Sequence, residues 1–381
     1  MQDKNFLKNE YYLRINPFFD TSYGPEFVDR KEVRQELYRI LSNFIDTNSP
    51  QMLFITGTYG VGKTFTLLEI EKDIKRKSSK YIKAENILTS YIRMTPSKPP
   101  SDYLLYVYTE IIKALGFNIF KELFDKFQKI SDSNNKLVSD LSIDFRGAFS
   151  LLGSEFRNIA WDYLRGESVS QSQMKIIGVS HRIDSGDVAM TILMDILKLM
   201  KILDYKALII LVDEFENIFT LAGQRKTAQI LVTFRDIYDQ VNKELYDNNS
   251  ISKPIIIFAS SSSVNQDVRN LIKDLGAPGL QPFVDRLVQM PFDLKPFDKK
   301  YVRELIKIKL DNCRIHEKNI GDKDIFPFKE DFIDYIYEVT GGNPRYVLQY
   351  TATILEVASE KELKFIGSKE AKEIVAEKNI G

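Results

Sequence analysis

Eight consecutive residues, Gly57, Thr58, Tyr59, Gly60, Val61, Gly62, Lys63 and Thr64, have the types and the spacing needed to hold a polyphosphate. They fit GxxxxGK[ST], in which glycines let successive backbone N–H groups curl around an anion, a lysine reaches the β- and γ-phosphates and a hydroxyl binds Mg²⁺. The flanks supply the required context. Met52 to Thr56 is an apolar run that reads as a strand, and Phe65 to Ile74 has a helical pattern whose N-terminus adds a positive dipole end. The candidate ATP contacts are therefore residues 57 to 64 with Phe65, the next residue into the helix; Lys63 also serves the chemistry and Thr64 the metal.

A second segment, ALIILVDEFENI (Ala207 to Ile218), is an apolar strand ending in two carboxylates. Asp213 is placed to hold the Mg²⁺ shell, because ligands in open α/β sheets gather at the carboxyl ends of strands. Glu214 is placed to orient and deprotonate an attacking water, with Glu216 next in line. Phosphoryl transfer depends on such positioning more than on covalent chemistry. Two further segments carry groups suited to a γ-phosphate. KPIIIFASSSS (Lys253 to Ser263) is a buried strand running into serines, of which Ser261 is the first choice, then Ser260 and Ser262, against a plain serine-rich loop. In GGNPRYVLQ (Gly341 to Gln349), Asn343 caps a helix and Pro344 takes its first position. Arg345 then projects from the first turn, where a cation opposes the macrodipole and gains from meeting an anion.

These groups need a scaffold. Short β-prone runs at Met52 to Thr56, Tyr91 to Met94, Leu208 to Val212, Ile255 to Ala259 and Leu287 to Met290 alternate with amphipathic stretches such as Asp102 to Leu115 and Val188 to Leu203. Continuous apolar strands separated by helices predict a doubly wound parallel sheet covered on both faces. The expected organisation is an N-terminal segment over 1–50 and an α/β core over 51–294 with a helical insertion at about 116–187. A helical lid over 295–381 follows, built from Lys299 to Lys309, Lys329 to Val339 and Pro344 to Ala358. Met190, Met194, Met200, Trp161 and Tyr163 read as core, and Glu71 to Lys80 as a solvated helix end.

The composition is that of a folded globular chain, with 44% hydrophobic residues among 381. Lys plus Arg equal Asp plus Glu at 53 each, so any DNA binding must rest on a local patch. Cys313 is the single cysteine, which excludes an internal disulfide and fits a reducing compartment. The longest aliphatic run is far shorter than the roughly 20 residues that span a bilayer, so the expectation is a cytoplasmic protein without membrane contact.

With these residues in place, the chain resembles the AAA+ P-loop ATPases of the origin-recognition and initiator group, from NPFF (Asn16 to Phe19) and FVDRKEV (Phe27 to Val33) onward. The resemblance implies an α/β AAA+ core, a C-terminal helical lid, and nucleoside contacts at Val28 and Arg30, although Asp29 replaces the usual glycine. It also implies sensor roles for Ser261 and Arg345, and an arginine finger at Arg286 acting on a neighbouring subunit. The segments WDYLRGES (Trp161 to Ser168), KIIGV (Lys175 to Val179) and DYKALIILVDEFE (Asp204 to Glu216) look like the ATP-binding proteins of BREX-type phage defence. The implied function is an ATPase that uses ATP and Mg²⁺ to switch homo-oligomeric assembly on DNA or with a partner protein, in phage defence or a mobile element. The alternatives are a slow-turnover signalling or scaffold module and a transposition-regulator ATPase forming filaments on DNA. Only about 36 residues follow Arg345, too few for an initiator's winged-helix DNA-binding domain.

Overall fold

The computed structural model describes residues 4–19, 30–47, 49, 51–76, 86–94, 102–131, 140–217, 223–247, 249–261, 270, 281–287, 291–315 and 324–378. They fall into two compact units. One gathers Met1–Arg34, Gly57–Gly62 and Leu294–Gly381, and the other Gln35–Thr56 and Lys63–Asp293.

The larger unit is built on a five-stranded sheet. Its strands are β1 (Gln51–Gly57), β2 (Ile87–Arg93), β3 (Ala207–Asp213), β4 (Lys253–Ser261) and β5 (Phe292–Asp293), in the order β2-β3-β4-β1-β5. The pairs β1 with β5, β2 with β3 and β3 with β4 are parallel. Every residue of β3 is buried, as a central parallel strand requires, and its unbroken ALIILV run follows from that. Helix α2 (Lys31–Asp46) turns Leu37, Tyr38, Leu41 and Ile45 inward at three- and four-residue spacing. Helix α3 (Lys63–Arg76) packs on β2, β3 and β4, and the Tyr38 hydroxyl donates to Asp73 on α3 at 2.6 Å. The long α4 (Tyr103–Ser131) packs on β2 and breaks its helical geometry at Gly116, whose φ of 77° suits glycine.

After α4 come three short helices, α5 (Ile143–Ser150), α6 (Arg157–Leu164) and α7 (Gln171–Ile177), then α8 (Gly186–Ile202) against α4. Two of the short helices, α5 and α7, are bounded by local chemistry. Ser142 caps α5, Ser170 forms a reciprocal capping box with Gln173, and Gly178 closes α7 in the left-handed region. Phe120, Phe145, Leu152, Leu164 and Val179 join one apolar cluster with Leu88, Ile92 and Ile210 of the sheet. The inserted helices thus share the sheet's core. Met190, Met194, Met200 and Tyr163 are buried in it, and Trp161 packs on Phe117 and Phe120. Helix α9 (Gly223–Asp247) packs on β4, and Phe54, Phe215, Phe234 and Phe258 form a ring cluster with centroids 4.6 to 6.0 Å apart.

Of the expected strand Leu287 to Met290, residues 288–290 lie outside the described residues. Leu287 closes α10 (Gln281–Leu287), and the fifth strand is the two-residue Phe292–Asp293, which pairs with Ile55 and Thr56. A four-residue apolar run without alternation carries little strand information; here the edge pairing falls just past Pro291.

The smaller unit is helical: α1 (Lys4–Asn9), α11 (Lys299–Cys313), α12 (Glu330–Thr340), α13 (Pro344–Glu360) and α14 (Ser368–Lys378). The first part of the N-terminal segment, to Arg34, belongs to it, through an antiparallel bridge from Leu13 to Arg314 and the Tyr11 hydroxyl donating to the Leu363 carbonyl. Tyr11, Phe18, Ile306, Phe332, Ile336 and Leu355 share its core. Asp298 caps α11, and Gly341 ends α12 in the left-handed region.

Candidate nucleotide site

In the larger unit the acidic end of β3 lies beside the end of β2, because the parallel register sets Arg93 opposite Asp213. Asp213 is 2% exposed. Its two carboxylate oxygens accept from the Tyr91 hydroxyl at 2.7 Å and from the Glu214 backbone N–H at 2.9 Å, which fixes its plane and leaves lone pairs for a cation. A carboxylate buried this deeply needs positive charge nearby. Lys63 supplies it: burial pulls its ammonium below the usual lysine range, and Glu216 and Asp213 oppose that pull. Glu216 itself has a buried carboxylate oxygen with no hydrogen-bond partner.

Glu214 adopts a left-handed φ of 52°, a strained state for a non-glycine residue that re-aims its side chain at the strand's end. One of its oxygens accepts from Asn217 at 2.8 Å and the other forms an ion pair with Arg93. That contact pushes the Arg93 guanidinium above its ordinary value. At the end of β4, the buried Ser260 hydroxyl has no hydrogen-bond partner, whereas Ser261 is half-buried. A buried hydroxyl without a partner is costly. Ser262 lies outside the described residues.

In the smaller unit, loop 57–62 is held by Asn343 and Arg30. Gly60 has φ +82°, and a Cβ there would sit 2.7 Å from the Arg345 Cβ and 2.8 Å from Asn343 Oδ1, so only glycine fits. Asn343 works on both sides: its Oδ1 accepts the Arg345 N–H at 3.1 Å as the α13 cap, and its Nδ2 donates to the Tyr59 carbonyl at 2.7 Å. The Arg345 guanidinium lies 4.5 Å from the centroid of the exposed Tyr59 ring, a cation–π contact. Arg30 is 7% exposed. Its guanidinium donates to the Val61 carbonyl at 3.0 Å and to the Lys295 carbonyl, and rests 4.1 Å from the Phe297 ring centroid. Burial lowers it to about 10. Arg30, the nucleoside contact that the resemblance implies, holds two backbone carbonyls here. Val28 lies outside the described residues, and Arg286 falls on α10 with a side chain that is likewise not described. Gly57, Thr58, Lys63 and Thr64 keep their places on the strand-loop-helix path from β1 to α3, and Phe65 is in the first turn of α3.

The sequence reading missed Tyr91, Arg93 and Asn217, which orient the two carboxylates. The only signal for Arg93 was its place at the polar end of an apolar run.

A parallel five-stranded sheet with the phosphate-loop strand beside the strand after the acidic pair defines an α/β P-loop fold of the AAA+ type. Residues 121–294, a little under half of the chain, match the family model "BREX system ATP-binding protein BrxC/D". That segment contains Asp213 and Glu214 but begins after the phosphate loop. Among solved structures, the chain is similar to Drosophila ORC bound to DNA, with 14% identity, a TM-score of 0.53 and coverage of 98% of this chain and 67% of that one. It is also similar to the Aeropyrum pernix ORC2 protein in ADPNP-ADP complexes, with 12% identity, a TM-score of 0.51 and coverage of 96% and 72%. No curated protein matches it in sequence. These findings agree with the resemblance drawn from sequence: an origin-recognition-like AAA+ fold with a segment similar to the BREX ATP-binding family. Among the described residues no helix is long and apolar enough to cross a membrane.

Proposed function

We propose that this chain is an ATPase that binds and hydrolyses ATP-Mg, and so switches its assembly on DNA or with a partner protein in a defence system. The observation that carries the reading is the buried Asp213 at the end of β3, charge-matched to Lys63 and followed by a Glu214 held for use by Asn217. Residues 57 to 64 bind the phosphates, Arg345 answers to the γ-phosphate, and Ser260 or Ser261 holds the water or the γ-phosphate from the end of β4. Thr64 and Asp213 are the oxygen donors suited to Mg²⁺, a hard cation, which when bound neutralises charge on the β- and γ-phosphates. Glu214 orients a water in line with the γ-phosphate and accepts its proton. Lys63→Ala should abolish ATP binding in calorimetry with the fold intact, and Glu214→Gln should bind ATP but not turn it over. Unchanged affinity in the first sinks the phosphate-loop assignment; wild-type turnover in the second moves the base to Glu216.

The defence setting draws on the BREX family description, and the DNA role on the DNA-bound state named for the Drosophila structure of similar fold. Size measurements in apo, ADP and ATP-analogue states, with and without duplex DNA, test it, and a mass independent of nucleotide and DNA refutes it. One observation favours slow turnover as a second reading: Arg93 is paired with Glu214, and a base so held works only when released.

A further inference from the structure

The grip on loop 57–62 comes from two side chains with a common geometry. Asn343 takes the carbonyl of Tyr59 and Arg30 the carbonyl of Val61. A trans peptide is planar, with its C=O and N–H pointing in opposite directions. Holding the Tyr59 carbonyl therefore turns the Gly60 N–H away from the start of α13, and holding the Val61 carbonyl turns the Gly62 N–H away from Arg30. Gly60 and Gly62 have φ of +82° and +103°, conformations open to glycine and lost among many others in a loop with no restraint. The two grips are joined to each other. Arg30 also holds the Lys295 carbonyl and the Phe297 ring, and the Phe297 N–H donates to the Gly342 carbonyl at 2.9 Å, one residue before Asn343. Gly342 has no room for a side chain, since a Cβ would lie 2.0 Å from the Phe297 carbonyl oxygen.

Helix capping alone does not account for these residues. The α13 cap uses only Asn343 Oδ1, and serine caps as well as asparagine; the Nδ2 donor is spent on Tyr59. Arg30 makes its hydrogen bonds to backbone carbonyls, at the cost of burying a guanidinium. We propose that Arg30 and Asn343 are positioning residues of the nucleotide site, which set the peptide planes of loop 57–62 and through them its affinity for the phosphates common to ADP and ATP. The proposal rests on reading that loop as the ATP site.

The test is calorimetric titration of Mg-ADP and Mg-ATP into the full chain as wild type, Asn343→Ser, Arg30→Lys and Lys63→Ala, with melting temperatures. Asn343→Ser keeps a neutral cap but is too short to reach Tyr59, so the fold is retained. Arg30→Lys keeps the charge but not the two-pronged grip. Each should weaken both nucleotides about three- to tenfold, as loss of an oriented hydrogen bond does. In steady-state kinetics the rise in KM for ATP should exceed any fall in kcat, a split that a general loss of fold does not produce. Wild-type affinity in Asn343→Ser, or a loss confined to ATP, overturns the positioning role while leaving the ATP site standing if Lys63→Ala fails to bind. A wild type that binds neither nucleotide overturns both.

Discussion

Replacing Arg93 by alanine removes the cation paired with Glu214 while leaving Asn217 to hold the other carboxylate oxygen. The Arg93 side chain is 51% exposed and that of Glu214 29%, so the pair works in water and is worth only about 0.2–1 kcal/mol. That energy sets a paired-to-free ratio of about 1.4 to 5. If only free Glu214 activates water, between roughly two-fifths and one-sixth of the molecules are competent at any moment, and Arg93→Ala should speed the chemical step about two- to sixfold. Single-turnover phosphate release with enzyme in excess isolates that step from product release. Arg93→Lys should fall between the two. An unchanged or slower step in Arg93→Ala, with ATP affinity intact, refutes the restraint and makes Arg93 a structural or substrate-facing group.

Phe258→Ala, which empties the centre of the Phe54, Phe215 and Phe234 ring cluster, should cost about 3–5 kcal/mol in denaturant unfolding; a loss under about 1 kcal/mol would mean the cluster collapses onto the gap. If Arg286 acts on a neighbouring subunit's ATP, Arg286→Ala mixed with Lys63→Ala should regain ATPase activity, and a co-assembling but inactive mixture returns Arg286 to a structural role. In the smaller unit, hydrogen bonds from Arg303 and then Lys307 hold the Asp324 carboxyl below its usual range. A depressed folded value contributes stability above the unfolded carboxylate range near pH 4 that is lost as the pH falls through the lower folded value. Asp324→Asn should therefore flatten the acid limb of the melting curve, and an unaltered limb would show that the pair contributes nothing.

The sequence by itself determined what is local. The phosphate loop is legible because an anion cradle needs glycines, a lysine and a hydroxyl at fixed spacing between a strand and a helix. β1, β3 and β4 were visible as continuous apolar runs, and the Asn343-Pro344 start of α13 followed from cap chemistry and a fixed proline φ. Tertiary structure decided whatever joins residues far apart in the chain. Tyr91 and Arg93 reach Asp213 and Glu214 across 122 and 121 residues, and only the β2–β3 register brings them together. The guanidinium of Arg30 meets the Val61 carbonyl 31 residues downstream, a pairing that only tertiary packing supplies. Two of the inserted helices, α5 and α7, start on local serine caps, yet the apolar faces of the insertion close onto the sheet's core. Spacing along the chain fixes a cap or a loop within one turn, whereas the partner of a buried charge or an apolar face is chosen by which surfaces exclude water together.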